Sequence, residues 1–335
     1  VEVDWGDNTS ASTVTGSDLT IQVRTNHTYA NAGQYTIKIH VVSGSFAFHS
    51  TSTYPVLNKN ESDTDSANYV YANAVLSVRM GDNVSIGNSA FQRCRSLGSI
   101  AMCSGLTTID VNAFNYCSSL ESIVIPYGTT DIGISALSHC DSLINVAMPK
   151  SVANIGRDAF TGSKALGFVV IPDGITSTSY TFMDCSALYK AALPDGVTSI
   201  GDYTFSTCPN LGSVTIPDSV TSIGTYAFGS CRSLSSITIP EGVTSIGSGA
   251  FNNCSALTSI TIPDTVTAIG GEAFSYCSGL GEIHFSGEEP PVVAMSTAWK
   301  DIPRDCTIYV PRGHLSDYQN ATNYPSYALY TYVEE

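Results

Sequence analysis

The chain has 335 residues, enough for two ordinary domains or one elongated array, and an average apolar content of 43%. Charged residues make up only 13%, about half the usual share, so the surface is neutral and rich in hydroxyls. Fourteen basic against 29 acidic residues give −15, which excludes nucleic acid and anionic lipid as partners, because both are held by Lys and Arg.

No apolar run reaches the length of a membrane span, and Val1 is not followed by a basic and apolar leader. A mature or excised fragment is therefore expected, with any signal or anchor outside it. Residues 1–57 read as a small β-domain. Tyr35, Ile37, Ile39 and Val41 alternate with Thr36, Lys38 and His40, the pattern of a half-buried antiparallel strand. The polar run NKNESDTDSAN lies within a loop or linker assigned to residues 58–74.

From residue 75 a fixed period takes over. Phe91, Phe114, Leu137, Phe160, Phe182, Phe205, Phe228, Phe251 and Phe274 follow one another at 23 residues, with one step of 22 into Phe182. The unit reads I-x-I-P-D-x-V-T-S-I-G-x-x-A-F-x-x-C-x-x-L-x-x. Its I-x-I piece is a short strand stopped by Pro-Asp, V-T-S-I-G is a second extended piece, and A-F-x-x-C-x-x-L has the spacing of a helical turn with Phe, Cys and Leu inward. A single unit cannot bury this apolar set, so the repeats must stack as a mainly β solenoid over 75–286, nine repeats preceded by an amino-terminal rung. Residues 287–335, with the I-x-I-P echo Ile308-Tyr309-Val310-Pro311, form a carboxyl-terminal cap.

The repeat resembles the BspA-like class of bacterial leucine-rich repeats across residues 75 to 311, and CTIYVPRGHLSDYQ is similar to the caps that close such arrays. The amino-terminal stretch resembles PKD-type Ig-like domains through Asp4-Trp5-Gly6-Asp7-Asn8, His27-Thr28-Tyr29 and Gly33-Gln34-Tyr35, although Asn8 replaces the usual glycine. The predicted fold class is thus a leucine-rich repeat solenoid, mainly β with short helical turns, preceded by a partial β-sandwich-like domain. The resemblance implies a bacterial secreted or surface protein of adhesin type, located outside the cell. It would be a non-enzymatic scaffold binding an extracellular protein or glycan, host molecules included, without cofactors or membrane insertion.

Eight of the ten cysteines fall in one column: Cys94, Cys117, Cys140, Cys185, Cys208, Cys231, Cys254 and Cys277, with Ser163 in the vacant place. Parallel side chains one rung apart do not converge on a zinc ion and do not readily reach disulfide torsion, so buried packing thiols are favoured over metal or bridge. Cys103 and Cys306 stand outside the column and are not paired. No catalytic motif occurs, and a His139-Cys140 dyad is disfavoured because adjacent residues in a turn point apart.

The acids Asp173, Asp195, Asp218, Glu241 and Asp264 follow the turn prolines; turn chemistry is favoured over a cation or basic-partner ribbon. Asp4, Asp7 and Asn8 are weak calcium candidates. Outward positions of the late strands hold Ser213, Thr215, Ser236, Thr238, Ser259 and Thr261, whereas earlier rungs place Val124, Ile144, Phe168, Val170, Tyr189 and Lys190 there. These six are the candidate partner-binding residues, expected side by side on stacked strands. Tyr180, Tyr203 and Tyr226 supply an alternative, a carbohydrate-stacking row, weighed against mutual packing.

Overall fold

The computed structural model describes the strands at residues 2–4, 12–13, 36–40, 46–48 and 75–79, then 84–335 apart from Ser96, Cys103 and Tyr327; side chains are described from Ile86 onward. The chain divides into two compact units, Val1–Leu166 and Gly167–Glu335. The linker 58–74, Asp7, Asn8 and the other marks of the expected PKD-type domain lie outside the described residues, as does the side chain of Asp4.

In the first unit, Thr36–His40 pairs antiparallel with Glu2–Asp4 on one side and parallel with Val75–Arg79 on the other. Val75–Arg79 in turn pairs parallel with Leu97–Ala101. Phe46–Phe48 likewise pairs parallel with Val84–Ile86. The strand expected from the alternation at residues 35–41, and also Phe46–Phe48, are therefore hydrogen-bonded to strands of the first rungs. Further along, Thr108–Ile109, Asp131–Ile132 and Asn154–Ile155 form one parallel ladder, and Ser122–Val124 pairs with Asn145–Ala147.

The second unit repeats this plan with one continuous parallel sheet and, on the other side, two that are separated at residues 236–239, where the expected Ile237-Thr238-Ile239 strand is not paired. Its V-T-S-I strands, from Ser177–Thr178 to Val292–Val293, make one six-stranded sheet. On the other side, Phe168–Val170, Lys190–Ala192 and Ser213–Thr215 pair in register, as do Ser259–Ile262, Glu282–Phe285, Thr307–Val310 and Thr331–Glu334. The cap thus adds rungs to the six-stranded sheet and to the second of the two sheets opposite.

Between the sheets of each rung the chain turns twice, and the expected helical turn is cut short for a clear reason. The N–H groups of Ala227, Gly229, Cys231 and Leu234 bond three residues back, to Gly224, Tyr226, Phe228 and Cys231. Those of Tyr226, Phe228 and Ser230 instead bond the next rung, at Ser248, Ala250 and Asn252, at 2.7–2.8 Å. Alternate donors committed sideways leave none for a continuing helix. Each repeat consequently places two residues in the left-handed region, such as Tyr226 at φ 49° and Ser230 at φ 61°.

The core is a ladder of aromatic rings. Phe228 is fully buried, with ring centroids 5.6 Å from Phe205 and 5.4 Å from Phe251. Trp299 continues the ladder at 5.2 Å from Phe274, and with Phe285, Tyr318 and Tyr324 it seals the cap. Trp299 arrives 25 residues after Phe274, out of the 23-residue period, so spacing alone does not place it in that column.

The repeated glycine of V-T-S-I-G answers to backbone contact between rungs. A Cβ on Gly247 would lie 2.6 Å from the Gly224 carbonyl carbon, and one on Gly270 2.3 Å from the Ser248 nitrogen. Gly247→Ala is expected to lower stability by about 1–3 kcal/mol through forced separation of two rungs, read as a shift of the urea midpoint at unchanged slope.

The 22-residue repeat is repaired with hydroxyls. It lacks the Ile-Gly pair, and Thr178 takes the isoleucine's buried place. Thr204, where every other rung but the 22-residue one (Thr181) has alanine, lies 3.1 Å from the Thr178 hydroxyl and donates to the Thr178 carbonyl at 2.9 Å. The deletion thus puts a polar group into the core together with its partner.

Candidate functional surface

Burial alternates along each strand as the I-x-I pattern requires. Val169 and Ile171 are inward, while Phe168 and Val170 are exposed on the same strand. All six predicted residues face outward, but strand register sorts them into separate columns. In the first unit Val124 pairs with Ala147, and Ile144 stands beside Glu121, to whose carbonyl it donates at 2.9 Å. The two therefore lie in different columns.

In the second unit the residues gather. Phe168 is in register with Lys190 and Val170 with Ala192. The Tyr189 ring lies over Gly167, where a Cβ would come within 3.3 Å of it, and remains 57% exposed. Phe168, Val170, Tyr189 and Lys190 thus form one contiguous patch. Beyond it Lys190 pairs with Ser213 and Ala192 with Thr215, where the hydroxyl-bearing rungs begin.

Sequence reasoning missed Tyr127, at 82% the most exposed large apolar side chain among the described residues, because it sits in a turn and not on a strand. It occupies the place after the turn proline that acids hold in the second unit, and that substitution was its only signal.

The tyrosine row is a stack. Ring centroids of Tyr180 and Tyr203 are 4.7 Å apart and those of Tyr203 and Tyr226 5.4 Å, so Tyr203 has a ring against each face. The Tyr226 ring covers Gly249, whose Cβ would fall 2.5 Å from it, and its hydroxyl donates to Glu272 at 2.6 Å. That bond pushes the Tyr226 phenol up to about 12.

Every column cysteine is a buried free thiol, and most donate a hydrogen bond. Cys231 Sγ donates to the Phe205 carbonyl at 3.2 Å and Cys254 to Phe228 at 3.1 Å; Cys117, Cys140, Cys208 and Cys277 repeat the contact one rung back. Ser163 donates to Leu137 at 2.8 Å in the same way. The column therefore needs a small donor as well as a small volume, which packing arguments alone had not supplied. Burial pushes Cys140, Cys208 and Cys277 up to about 12 and Cys231 well above its usual range, the opposite of an activated nucleophile. With a thiol reagent, the column cysteines should stay silent in the native protein and titrate only after unfolding.

The His139 ring stacks on Tyr116 at 4.5 Å and covers Gly162, whereas Cys140 points inward to Phe114, so the two make no dyad. Asp173, Asp195, Asp218, Glu241 and Asp264 are all exposed, each next to a buried turn proline. Cys306 is buried in the cap. Among the described residues no group of three or more His, Cys, Asp or Glu side chains is arranged to hold a metal ion, and no helix is long and apolar enough to cross a membrane.

Short parallel strands, a buried Phe ladder and outward columns of variable residues define a stacked-repeat solenoid, which presents side chains on extended sheet faces. More particularly, the chain belongs to the BspA type leucine rich repeat family, whose pattern matches residues 64–188 and 176–289. Among solved structures it is similar to a leucine-rich repeat protein from Bacteroides ovatus (21% identity over 77% of this chain and 84% of that one, TM-score 0.42). A leucine rich cell surface protein from Faecalibacterium prausnitzii shares 30% identity over 63% and 73%, with a TM-score of 0.38. The pneumococcal vaccine antigen PcpA shares 21% over 78% and 79%, with a TM-score of 0.46. Comparison with curated proteins gives no match.

Proposed function

We propose that the protein is a non-enzymatic binding scaffold acting outside the cell or on its surface, and that it engages a protein partner through the outward strand faces. The observation that carries this reading is the exposure of Phe168, Val170 and Tyr189 on a face whose later rungs present Ser and Thr. Exposed apolar clusters of this kind are costly to keep in water and mark contact sites. Val124 and Ile144 supply the corresponding outward residues of the first unit, and Lys190 borders the patch of the second. Mutual stacking of Tyr180, Tyr203 and Tyr226 weighs against the sugar-platform alternative.

The test is capture of extracellular proteins by the intact chain and by a Phe168→Ser/Tyr189→Ser variant. The variant should keep the wild-type circular dichroism spectrum and lose its partners by about tenfold or more in affinity, as expected for aromatic anchors. Unchanged capture by a folded variant would end the assignment of the site.

A further inference from the structure

The patch on residues 167–335 has an acidic border along one side. Each outward segment of that face runs into a turn whose proline is buried and whose next residue is an exposed acid: Asp173 three residues after Val170, Asp195 three after Ala192, then Asp218, Glu241 and Asp264, with the segment before Glu241 not paired as a strand. Successive carboxylates stand one rung apart, ~4.8 Å, well inside the ~8 Å screening length of physiological salt, so they act as one negative rim along the carboxyl ends of the strands.

The charge is concentrated in this unit. Sixteen acidic and five basic residues give −11 for residues 167–335, leaving −4 of the total −15 for residues 1–166. Lys190 is the sole Lys or Arg at an outward strand position of the second unit. It shares a column with Phe168, on the side of the strand away from the rim.

We infer, building on the binding role proposed above, that this face docks a cationic amphipathic polypeptide segment. Its aliphatic or aromatic side chains seat on Phe168, Val170 and Tyr189, and its Lys and Arg side chains lie over the acidic rim. Single exposed ion pairs are weak, so the apolar anchors hold the segment while the rim selects its charge and speeds its approach. Lys190 repels a cation on the opposite side and so fixes which edge of the segment faces the turns.

The experiment titrates the full chain with three labelled peptides of equal length: Lys/Leu amphipathic, Glu/Leu amphipathic, and Lys/Ser. The Lys/Leu peptide should bind about tenfold or more tighter than either control, an affinity that falls with added salt. Phe168→Ser/Tyr189→Ser should weaken it about tenfold. Asp195→Asn/Asp218→Asn/Glu241→Gln should weaken it and flatten the salt dependence, whereas Asp184→Asn/Asp301→Asn/Asp305→Asn, the same charge removed away from the rim, should leave it unchanged.

Equal binding of the Glu/Leu peptide, or equal losses from the two charge-removal variants, would overturn the inference, the second by reducing it to attraction by net charge. If the Lys/Leu peptide fails while Phe168→Ser/Tyr189→Ser still loses captured extracellular proteins, the binding role stands and the partner's charge is wrong. If neither peptide binding nor capture depends on Phe168 and Tyr189, both readings fall.

Discussion

Phe228→Ala is expected to destabilise the second unit by about 3–5 kcal/mol, through lost transfer free energy and the cavity left between two rings. The side chain is fully buried, and no loop borders the site to collapse into it, because Phe205 and Phe251 stack on either side. Phe228→Leu is the informative control, since the column already holds a buried leucine at Leu137. It should cost clearly less than the alanine. Urea unfolding monitored by circular dichroism measures both, and an alanine cost below about 1 kcal/mol would mean that the ladder is not the core.

The second large effect is alkaline unfolding. Cys94, Cys140, Cys208 and Cys277 are pushed from 9.0 to about 12 by burial, and Cys117, Cys231 and Cys254 well above 9.0. The folded chain therefore holds these protons more tightly than the unfolded one. Their contribution to stability is complete below pH 9, the unfolded value, and is lost as pH rises from there toward 12. Each thiol steepens the fall by up to about 1.4 kcal/mol per pH unit, and several together should unfold the protein cooperatively within that window.

Replacing Cys208, Cys231 and Cys254 by Ser keeps a donor of the kind Ser163 already provides and removes three titrating groups. The pH dependence above 9 should flatten accordingly. A slope that did not change would assign the transition to the tyrosines, of which Tyr226 is raised to about 12 by its bond to Glu272.

The repeat was legible in the sequence because its information is local. Period, inward Phe, Cys and Leu and outward x positions follow from spacing alone; burial follows them at every Phe, Cys and Leu of the columns, while outward Ala192 and Ser259 are half-buried. What the sequence reading left out depends on neighbours 23 residues away. The turn conformation is set by N–H groups such as that of Phe228 reaching Ala250, and the donor role of Cys231 by a carbonyl on Phe205. The candidate patch was legible as a set of residues but not as an arrangement. Only register puts Phe168 beside Lys190 and Tyr189 over Gly167.

The hydroxyl pair in the 22-residue repeat bears on how such a gene can grow. Residues 215–236 and 238–259 are near copies, so unequal crossing-over that duplicated or removed one of them would join surfaces that already match. A segment carrying Thr178 has no such freedom. Set before a rung with alanine in place of Thr204, its buried hydroxyl would lose the partner it has here, whereas Thr204 has an acceptor in its own rung, the Gly201 carbonyl at 2.8 Å. The array is therefore divided, in hereditary terms, into rungs that can be shuffled and one that can move only together with the rung after it.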